Sequence, residues 1–154
     1  MKNEILLLDE KSVNDFWRLR IELFQELEEV SKGADCTQLE SATKQYYVSH
    51  INKDLISWGV FQEGQLAATG SLCLFTRILY NENLSGLEGY ILNIYTSKQF
   101  RGNGFANQIL DNMIKYSYKN NIKRLWLNSS EQGKHLYTKK GFIQKNNEME
   151  LFYK

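Results

Sequence analysis

The sequence predicts an α/β (α+β) fold, with a mixed, mostly antiparallel central sheet of six to seven strands flanked by about four helices. Two apolar segments separated by Glu63-Gly64 predict an antiparallel hairpin. A later succession of strand, helix and strand implies a parallel crossover. A sheet with both kinds of pairing is mixed, and we expect helices on both of its faces.

The first three elements are a strand and two helices. Residues 4–8 form the first strand. Apolar residues recur at helical spacing from residue 12 to residue 29, where Ser12 is the expected N-cap and Asp15 lies in the first turn. A second helix is expected over residues 39–51, from a less regular pattern.

Three strands follow in the middle of the chain. Residues 55–61 and 65–80 are the two arms of the hairpin, joined by a tight Glu63-Gly64 turn. Residues 87–95 form a further strand, because their apolar content is high and a glycine-containing loop follows it.

The last part of the chain predicts two helices and two strands. Apolar residues share one face of a helix over residues 105–118, which Asn120-Asn121 ends. Residues 124–127 are a short buried strand, and residues 131–140 a short helix for which Ser129 and Gln132 can form a capping box. Alternation over residues 149–153 predicts a closing strand.

Length and charge favour one domain without a nucleic-acid or membrane partner. The chain has 154 residues, enough for one domain over residues 1–154. Its 19 basic and 18 acidic residues give a net charge of +1, which disfavours a dedicated nucleic-acid binder. No apolar run approaches the ~18 residues that span a bilayer, and the N-terminus lacks a signal-peptide pattern. Cys36 and Cys73 lack metal-site spacing, so we expect free thiols, no metal and a cytoplasmic location.

The loop from Gln99 to Ala106 is the most informative segment. Gly102 and Gly104 lie between a strand and a helix, where positive φ angles let backbone N–H groups form a concave nest at a helix N-terminus. Such a nest holds a pyrophosphate. A P-loop would need Lys and Ser or Thr after the second glycine, whereas Phe105 follows it. A dinucleotide fold would need a third small residue where Asn107 stands. Taken alone, the glycines also fit a turn with no ligand.

Further residues around this loop resemble a known family. Gln99-x-x-Gly102-x-Gly104 after a strand is similar to the pyrophosphate-binding motif of the GCN5-related N-acetyltransferase (GNAT) superfamily. The strand at residues 89–96 resembles that family's fourth strand. Leu-Tyr-x-Lys-x-Gly-Phe at residues 136–142 and the segment at residues 129–134 also resemble it. The resemblance is firm over about residues 86–143, whereas the first half matches in element order only.

This resemblance implies an acyl-CoA N-acyltransferase (GNAT) fold and transfer of an acetyl group from acetyl-CoA to an amine in a ternary complex. It implies that the cofactor is bound by the end of the fourth strand, by the glycine loop and by one serine. Members of the family often have an asparagine at the position of this serine, and serine has the shorter side chain. These residues are Ile94, Tyr95, Thr96, Gln99, Arg101, Gly102, Asn103, Gly104, Phe105, Ala106 and Ser130. The backbone N–H of Ile94 is then the expected oxyanion donor.

The chemistry also needs proton transfer, since a lysine-like amine with pKa ~10.4 must lose a proton and a thiolate gains one. The resemblance places Tyr137 near the cofactor sulfur as the acid. Glu88 is the candidate base, with an ion-paired or solvated carboxylate as the alternative. Asn93 is a candidate to orient water or the amine. We expect His50 and His135 each to be either hydrogen-bonded to neighbouring groups or exposed.

The acceptor pocket is expected from the first half of the chain, because loops and variable elements on a scaffold carry specificity. Its candidates are aromatic and charged side chains, which are alternatively core residues. They are Trp17, Arg20, Phe24, Glu28, Tyr46, Tyr47 and Trp58. A small-molecule amine is the favoured acceptor. A protein or peptide amine and a CoA-binding module without turnover are the alternatives, and a monomer and a homodimer both remain open.

Overall fold

The computed structural model describes residues 3–153, so residues 1, 2 and 154 of the expected single domain lie outside it. Within that range the strands and helices are β1 (Leu6–Leu7), α1 (Val13–Glu26), α2 (Thr37–His50), β2 (Leu55–Gln62), β3 (Gln65–Thr76), β4 (Leu87–Thr96), α3 (Phe105–Lys119), β5 (Arg124–Trp126) and α4 (Lys134–Lys139). The sheet order is β1-β2-β3-β4-β5. The first four strands pair antiparallel and β5 joins β4 in parallel, which confirms the mixed, mostly antiparallel sheet.

Helices cover both faces of the sheet. On one face, Ile109 and Met113 of α3 pack with apolar residues of β2, β3 and β4 in the largest core cluster. On the other face, Leu19 of α1 packs with Leu66 of β3 and Tyr95 of β4, and Tyr47 of α2 packs on Phe16 of α1 with ring centroids 4.5 Å apart. The pattern that predicted α3 therefore buries its apolar stripe, whereas the stripe that predicted α1 is buried at Phe16 and Leu19 but exposed at Leu27.

The predicted count of six to seven strands is wrong, because the described residues form five. The predicted closing strand over residues 149–153 is absent, and the side chains of Met149 and Tyr153 are 96% and 93% exposed. Alternation of apolar residues predicts a strand only if a neighbouring strand supplies hydrogen bonds, and β5 is a three-residue strand. The hairpin arm predicted over residues 65–80 also ends early, at Thr76.

Both predicted side-chain caps are wrong as well. Ser12 makes no capping hydrogen bond, and Asp9 instead accepts from the N–H of Lys11 in a short 3₁₀ turn before α1. The helix expected over residues 131–140 begins only at Lys134. Before it, the Ser130 hydroxyl accepts a 3.1 Å hydrogen bond from the N–H of Gly133, in place of the expected capping box. Local polar groups here stabilise turns rather than helix ends.

Candidate active site

The glycine loop leaves a row of backbone donors open. Gly102 and Gly104 have φ angles of +87° and +75°, and a Cβ built at Gly102 would meet nothing within 4 Å. Gly104 is the N-cap of α3 and no side chain caps that helix. Among the described residues, no hydrogen bond is donated by the N–H groups of residues 102–107. These donors and the positive end of the α3 dipole form a site for an anion.

The loop is braced by its own side chains. Asn103 donates from Nδ2 to the carbonyl oxygen of Phe100 over 2.8 Å. Phe105 is buried in the core beneath the loop, whereas Gln99 is exposed and Ala106 is half-buried. The loop is therefore anchored at both ends while its glycines face outward.

Arg101 points toward α1. Its Nη1 and Nη2 donate to the two carboxylate oxygens of Glu26 over 2.9 and 2.6 Å, and its Nε donates to the carbonyl oxygen of Thr96. Hydrogen bonding to Arg101 lowers the pKa of Glu26, and the same bond raises the pKa of Arg101. The guanidinium lies 5.4 Å from the ring centroid of Tyr95. Its charge is thus neutralised within the chain.

The sheet opens beside this loop. The pairing between β4 and β5 ends at Tyr90 and Trp126, although β4 continues to Thr96. Ile94, Tyr95 and Thr96 consequently lie where β4 has no strand neighbour on its β5 side. A backbone edge of this kind accepts an extended amide-bearing ligand as an added strand would.

A bulge in β4 lies at the start of this free edge. Ser71 of β3 pairs with Leu92 and Thr69 pairs with Tyr95, so Asn93 and Ile94 both oppose Gly70. Asn93 has a φ of +59°, a left-handed conformation that asparagine tolerates better than most residues. Two consecutive residues, Leu92 and Asn93, thereby line one cavity on the α1–α2 face of the sheet.

This cavity, which we call the α-face cavity, has a volume of about 250 Å³. It lies between α1, α2 and the centre of the sheet. Its lining is apolar apart from a few groups and consists of Phe16, Arg20, Ala42, Thr43, Tyr46, Leu55, Ser71, Cys73, Leu92 and Asn93. A small apolar cavity with a few convergent polar groups is typical of ligand sites.

Two polar groups meet in the α-face cavity. Arg20 donates from Nη1 to Oδ1 of Asn93 over 3.3 Å, and its guanidinium lies 4.6 Å from the ring centroid of Phe24. Burial lowers the pKa of Arg20. Asn93 is 5% exposed, and its Nδ2 is buried without a hydrogen-bond partner. Tyr46 contacts Cys73 at 3.6 Å between Oη and Sγ, and burial raises the pKa of both groups.

Glu88 lies elsewhere on β4. It is fully buried, accepts from the Tyr80 hydroxyl over 2.5 Å and from Nη1 of Arg124 over 2.8 Å, and lies 3.7 Å from Arg77. Burial would raise its pKa, but the two hydrogen bonds and the arginine charges outweigh burial and lower it. Glu88 and Asn93 are five positions apart on β4, roughly 16 Å along a strand. The structure thus places Glu88 in the ion-paired arrangement that was the alternative to catalysis.

Tyr137 and Ser130 follow β5 in the chain, and Tyr137 lies on α4. The ring of Tyr137 packs edge-on against Phe142 with centroids 5.8 Å apart, and burial raises the pKa of its hydroxyl. A Cβ at Gly133 would lie 3.2 Å from the Tyr137 ring. Ser130 is exposed, and its hydroxyl is engaged with Gly133.

The structure separates the acceptor-pocket candidates of the first half into cavity-lining residues and core residues. Arg20 and Tyr46 line the α-face cavity, whereas Trp17, Tyr47 and Trp58 are core residues. The sequence did not single out the remaining lining residues, which are Phe16, Ala42, Thr43, Leu55, Ser71, Cys73 and Leu92. A periodic pattern does not distinguish their apolar or small side chains from core residues.

The two histidines lie outside the cavity lining. His50 contacts Oδ1 of Asp54 from Nδ1 at 2.6 Å and stacks on Tyr46, and His135 is exposed. Over residues 3–153 there is no group of three or more His, Cys, Asp or Glu side chains that could hold a metal. No helix of the described part is long and apolar enough to cross a membrane.

A protein-family model matches most of the chain. The model describes the acetyltransferase (GNAT) family and covers residues 16–142. A search of curated proteins found no match.

Solved structures share the fold over almost the whole chain. A predicted acetyltransferase from Clostridium acetobutylicum, crystallised with acetyl-CoA, is 25% identical with a TM-score of 0.86, over 98% of this chain and 96% of that chain. Glucosamine-6-phosphate N-acetyltransferase from Arabidopsis thaliana is 22% identical with a TM-score of 0.72, over 100% of both chains. Ribosomal-protein-alanine N-acetyltransferase from Brucella melitensis is 16% identical with a TM-score of 0.72, over 99% of this chain and 100% of that chain. The fold is therefore common to proteins with different acceptors.

Proposed function

Because this chain belongs to the acetyltransferase (GNAT) family, we propose that it transfers the acetyl group of acetyl-CoA to the primary amine of a small molecule. The observation that carries the proposal is the row of open backbone donors at residues 102–107, beside a β4 edge that has lost its strand partner. Acetyl-CoA supplies the activated thioester.

The donor set fits a diphosphate followed by an amide-bearing arm. The N–H groups of the glycine loop would hold the diphosphate, since they are unpaired and lie at the N-terminus of a 15-residue helix. Arg101 would keep the loop against α1 through Glu26 rather than meet the phosphates itself. The free edge at Ile94, Tyr95 and Thr96 would bind the arm through backbone hydrogen bonds, and the Ile94 N–H would stabilise the oxyanion.

The polar side chains then divide the remaining tasks. Tyr137 would donate a proton to the departing thiolate, because its pKa is raised by burial and its hydroxyl therefore stays protonated at neutral pH. Asn93 would position the acceptor, since its amide is fixed by Arg20 and lines the α-face cavity next to the free edge. Glu88 would stabilise the β4–β5 pair through Arg124.

The size of the α-face cavity favours a small acceptor over a protein. Its volume of about 250 Å³ is below the ~300–1,000 Å³ of typical drug-sized ligand pockets, and it lies between two helices and the sheet. An extended peptide would need a groove that runs past these helices. A protein acceptor and a module that binds CoA without turnover remain outcomes of the test.

The test measures binding and turnover separately. Calorimetry with acetyl-CoA on the purified chain would establish cofactor binding. Thiol release would then be followed with polyamines, aminoglycosides, amino acids and peptides as acceptors. Release with small amines supports the proposal, and release with peptides alone would replace its acceptor. Binding without release from any member would indicate a non-catalytic module, and an absence of binding would overturn the proposal altogether.

A further inference from the structure

Arg20 differs from the other arginines of the described chain in having no carboxylate partner. Arg18, Arg77, Arg101 and Arg124 each lie within 4.0 Å of an aspartate or glutamate oxygen, at 3.3, 3.7, 2.6 and 2.8 Å for the shortest contact of each. Arg20 meets only the Asn93 amide oxygen and the face of Phe24. Glu29 acts on it from beyond ion-pair distance. This half-buried cation lacks the carboxylate that usually compensates a charge withdrawn from water.

Asn93 supplies a second unsatisfied donor beside Arg20. The hydrogen bond from Arg20 fixes the amide so that Oδ1 faces the guanidinium. The Nδ2 group is therefore directed away from Arg20, and it is buried without a partner. Buried side-chain donors are normally satisfied, and an unsatisfied one that lines a cavity indicates a missing acceptor.

From these two groups we infer that the acceptor amine also carries an anionic group, a carboxylate or a phosphate, which binds between Arg20 and Asn93 in the α-face cavity. The inference rests on the proposed function and names the substrate class of that same site. Both groups are donors, and the other polar lining residues, Thr43, Tyr46, Ser71 and Cys73, add no negative charge at neutral pH. An anion would satisfy both Arg20 and Asn93, whereas a polyamine would place like charges together.

The geometry places the anion near the reacting end of the acceptor. The guanidinium of Arg20 lies 3.3 Å from Asn93, and Asn93 is adjacent in sequence to Ile94, in the part of β4 that has no β5 partner. An acceptor whose amine and anionic group are a few bonds apart would therefore reach the thioester while its anion is held by these two side chains. A cavity of about 250 Å³ limits the remainder of the acceptor to a small group.

The first experiment compares acceptors in matched pairs. Glycine, β-alanine and leucine are compared with their decarboxylated amines, and O-phosphoethanolamine is compared with ethanolamine, by thiol release from acetyl-CoA. We expect kcat/KM to be about tenfold or more higher for the anionic member, because only that member forms charge-assisted hydrogen bonds with Arg20 and Asn93. The carboxylate and phosphate pairs identify which anion is the natural one.

The second experiment removes the charge. Arg20→Gln should reduce the preference for the anionic member to less than about threefold, because the mutation leaves no cation in the cavity lining. This change of ratio within one pair is independent of the different amine pKa values. Arg20→Lys keeps the charge and should retain part of the preference. Lys44→Gln, which removes a charge from an exposed pair with Glu40 on α2, is the matched control and should leave the ratio unchanged.

Calorimetry with acetyl-CoA on each variant separates the inference from the function. If acetyl-CoA binds and neutral amines react as well as their anionic counterparts, the inference is wrong and the proposed function stands. The same conclusion follows if only neutral amines react, or if Arg20→Gln binds acetyl-CoA normally and keeps the full preference. If acetyl-CoA does not bind at all, the proposed function itself fails.

Discussion

Arg101 and Glu26 form a bidentate ion pair that joins the glycine loop to α1, with Nη1–Oε1 and Nη2–Oε2 distances of 2.9 and 2.6 Å. The two residues are 75 positions apart. In this arrangement the charge of Arg101 is neutralised by a carboxylate of α1. If the loop binds a diphosphate as proposed, the effect of Arg101 on it would therefore be indirect.

The first prediction follows from that pair. Arg101→Gln and Glu26→Gln should each weaken acetyl-CoA binding by less than about fivefold, because a partly exposed ion pair contributes ~1 kcal/mol or less. The double variant should be no worse than either single one, since both remove the same interaction. Calorimetry gives the three affinities. A large loss in Arg101→Gln without a loss in Glu26→Gln would show that the guanidinium meets the phosphates directly.

The second prediction concerns the open face of the glycine loop. Gly102→Ala should lower the free energy of unfolding by ~1 kcal/mol, because alanine is strained at a φ of +87°. It should also weaken acetyl-CoA binding about tenfold or more, since the new methyl group projects into the donor row. Gly33→Ala is the matched control: its φ is +89° and its Cβ also meets nothing. Equal stability losses with unequal affinities are expected from urea titration and calorimetry, and equal affinities would contradict the assignment of the loop.

The third prediction concerns Tyr137. Tyr137→Phe should lower kcat by about 10²-fold, the usual contribution of a general acid, while the dissociation constant of acetyl-CoA changes little. The ring contact with Phe142 is retained in this variant. Tyr116→Phe on α3, whose ring packs edge-on against Trp58, serves as a control for loss of a hydroxyl and should keep full turnover. Unchanged kcat in Tyr137→Phe would remove this residue from the mechanism.

The fourth prediction is a pH dependence of stability from Glu88. Its pKa in the folded chain lies below the ordinary value of 4.5, so the folded state binds the proton less readily than the unfolded state. The stabilisation is therefore complete above the unfolded pKa and is lost as the pH falls through the folded pKa.

Urea titrations between about pH 7 and about pH 3 would measure this loss. Glu88→Gln should cost ~1–3 kcal/mol at neutral pH, because a buried partner of Arg124 is removed. It should also flatten the acid limb of the stability curve. Glu40→Gln, at an exposed pair with Lys44, should leave that limb as in the wild type. An equally steep limb in Glu88→Gln would show that other carboxylates are responsible.

The fifth prediction concerns the source of the general base. No carboxylate or imidazole is among the residues that line the α-face cavity in the described part of the chain. The amine should therefore react from the fraction that is already deprotonated in water. For two acceptors, one with an α-amine of pKa ~8 and one with a lysine-like amine of pKa ~10.4, the inflection of kcat/KM against pH should follow the acceptor. One inflection common to both acceptors would instead reveal a base on the enzyme.

The sequence predicted what depends on near neighbours. The Glu63-Gly64 hairpin turn, with φ angles of +52° and +78°, and the glycine loop before α3 follow from residue types that permit unusual backbone angles. Helical periodicity likewise located α1 and α3 to within a few residues.

Features that depend on distant neighbours were not predicted. The pairing of Arg101 with Glu26 requires α1 to lie beside the loop, which no local pattern encodes. The strand expected over residues 149–153 has the alternation of a strand but not the hydrogen-bonding neighbour. The left-handed backbone of Asn93 was likewise not predicted, because it depends on how β4 pairs with β3.

The bulge at Asn93 has a consequence for the sheet as a whole. Leu92 faces α1 and α2, Ile94 faces α3, and Tyr95 returns to the first side, which is the order of an uninterrupted strand with Asn93 left out. The side chains before and after this position therefore follow the same alternation, and the pairing with β3 continues without Asn93. Asn93 behaves as a one-residue insertion in β4. A polar side chain can therefore stand in the cavity at this position without displacing the packed residues on either side of it.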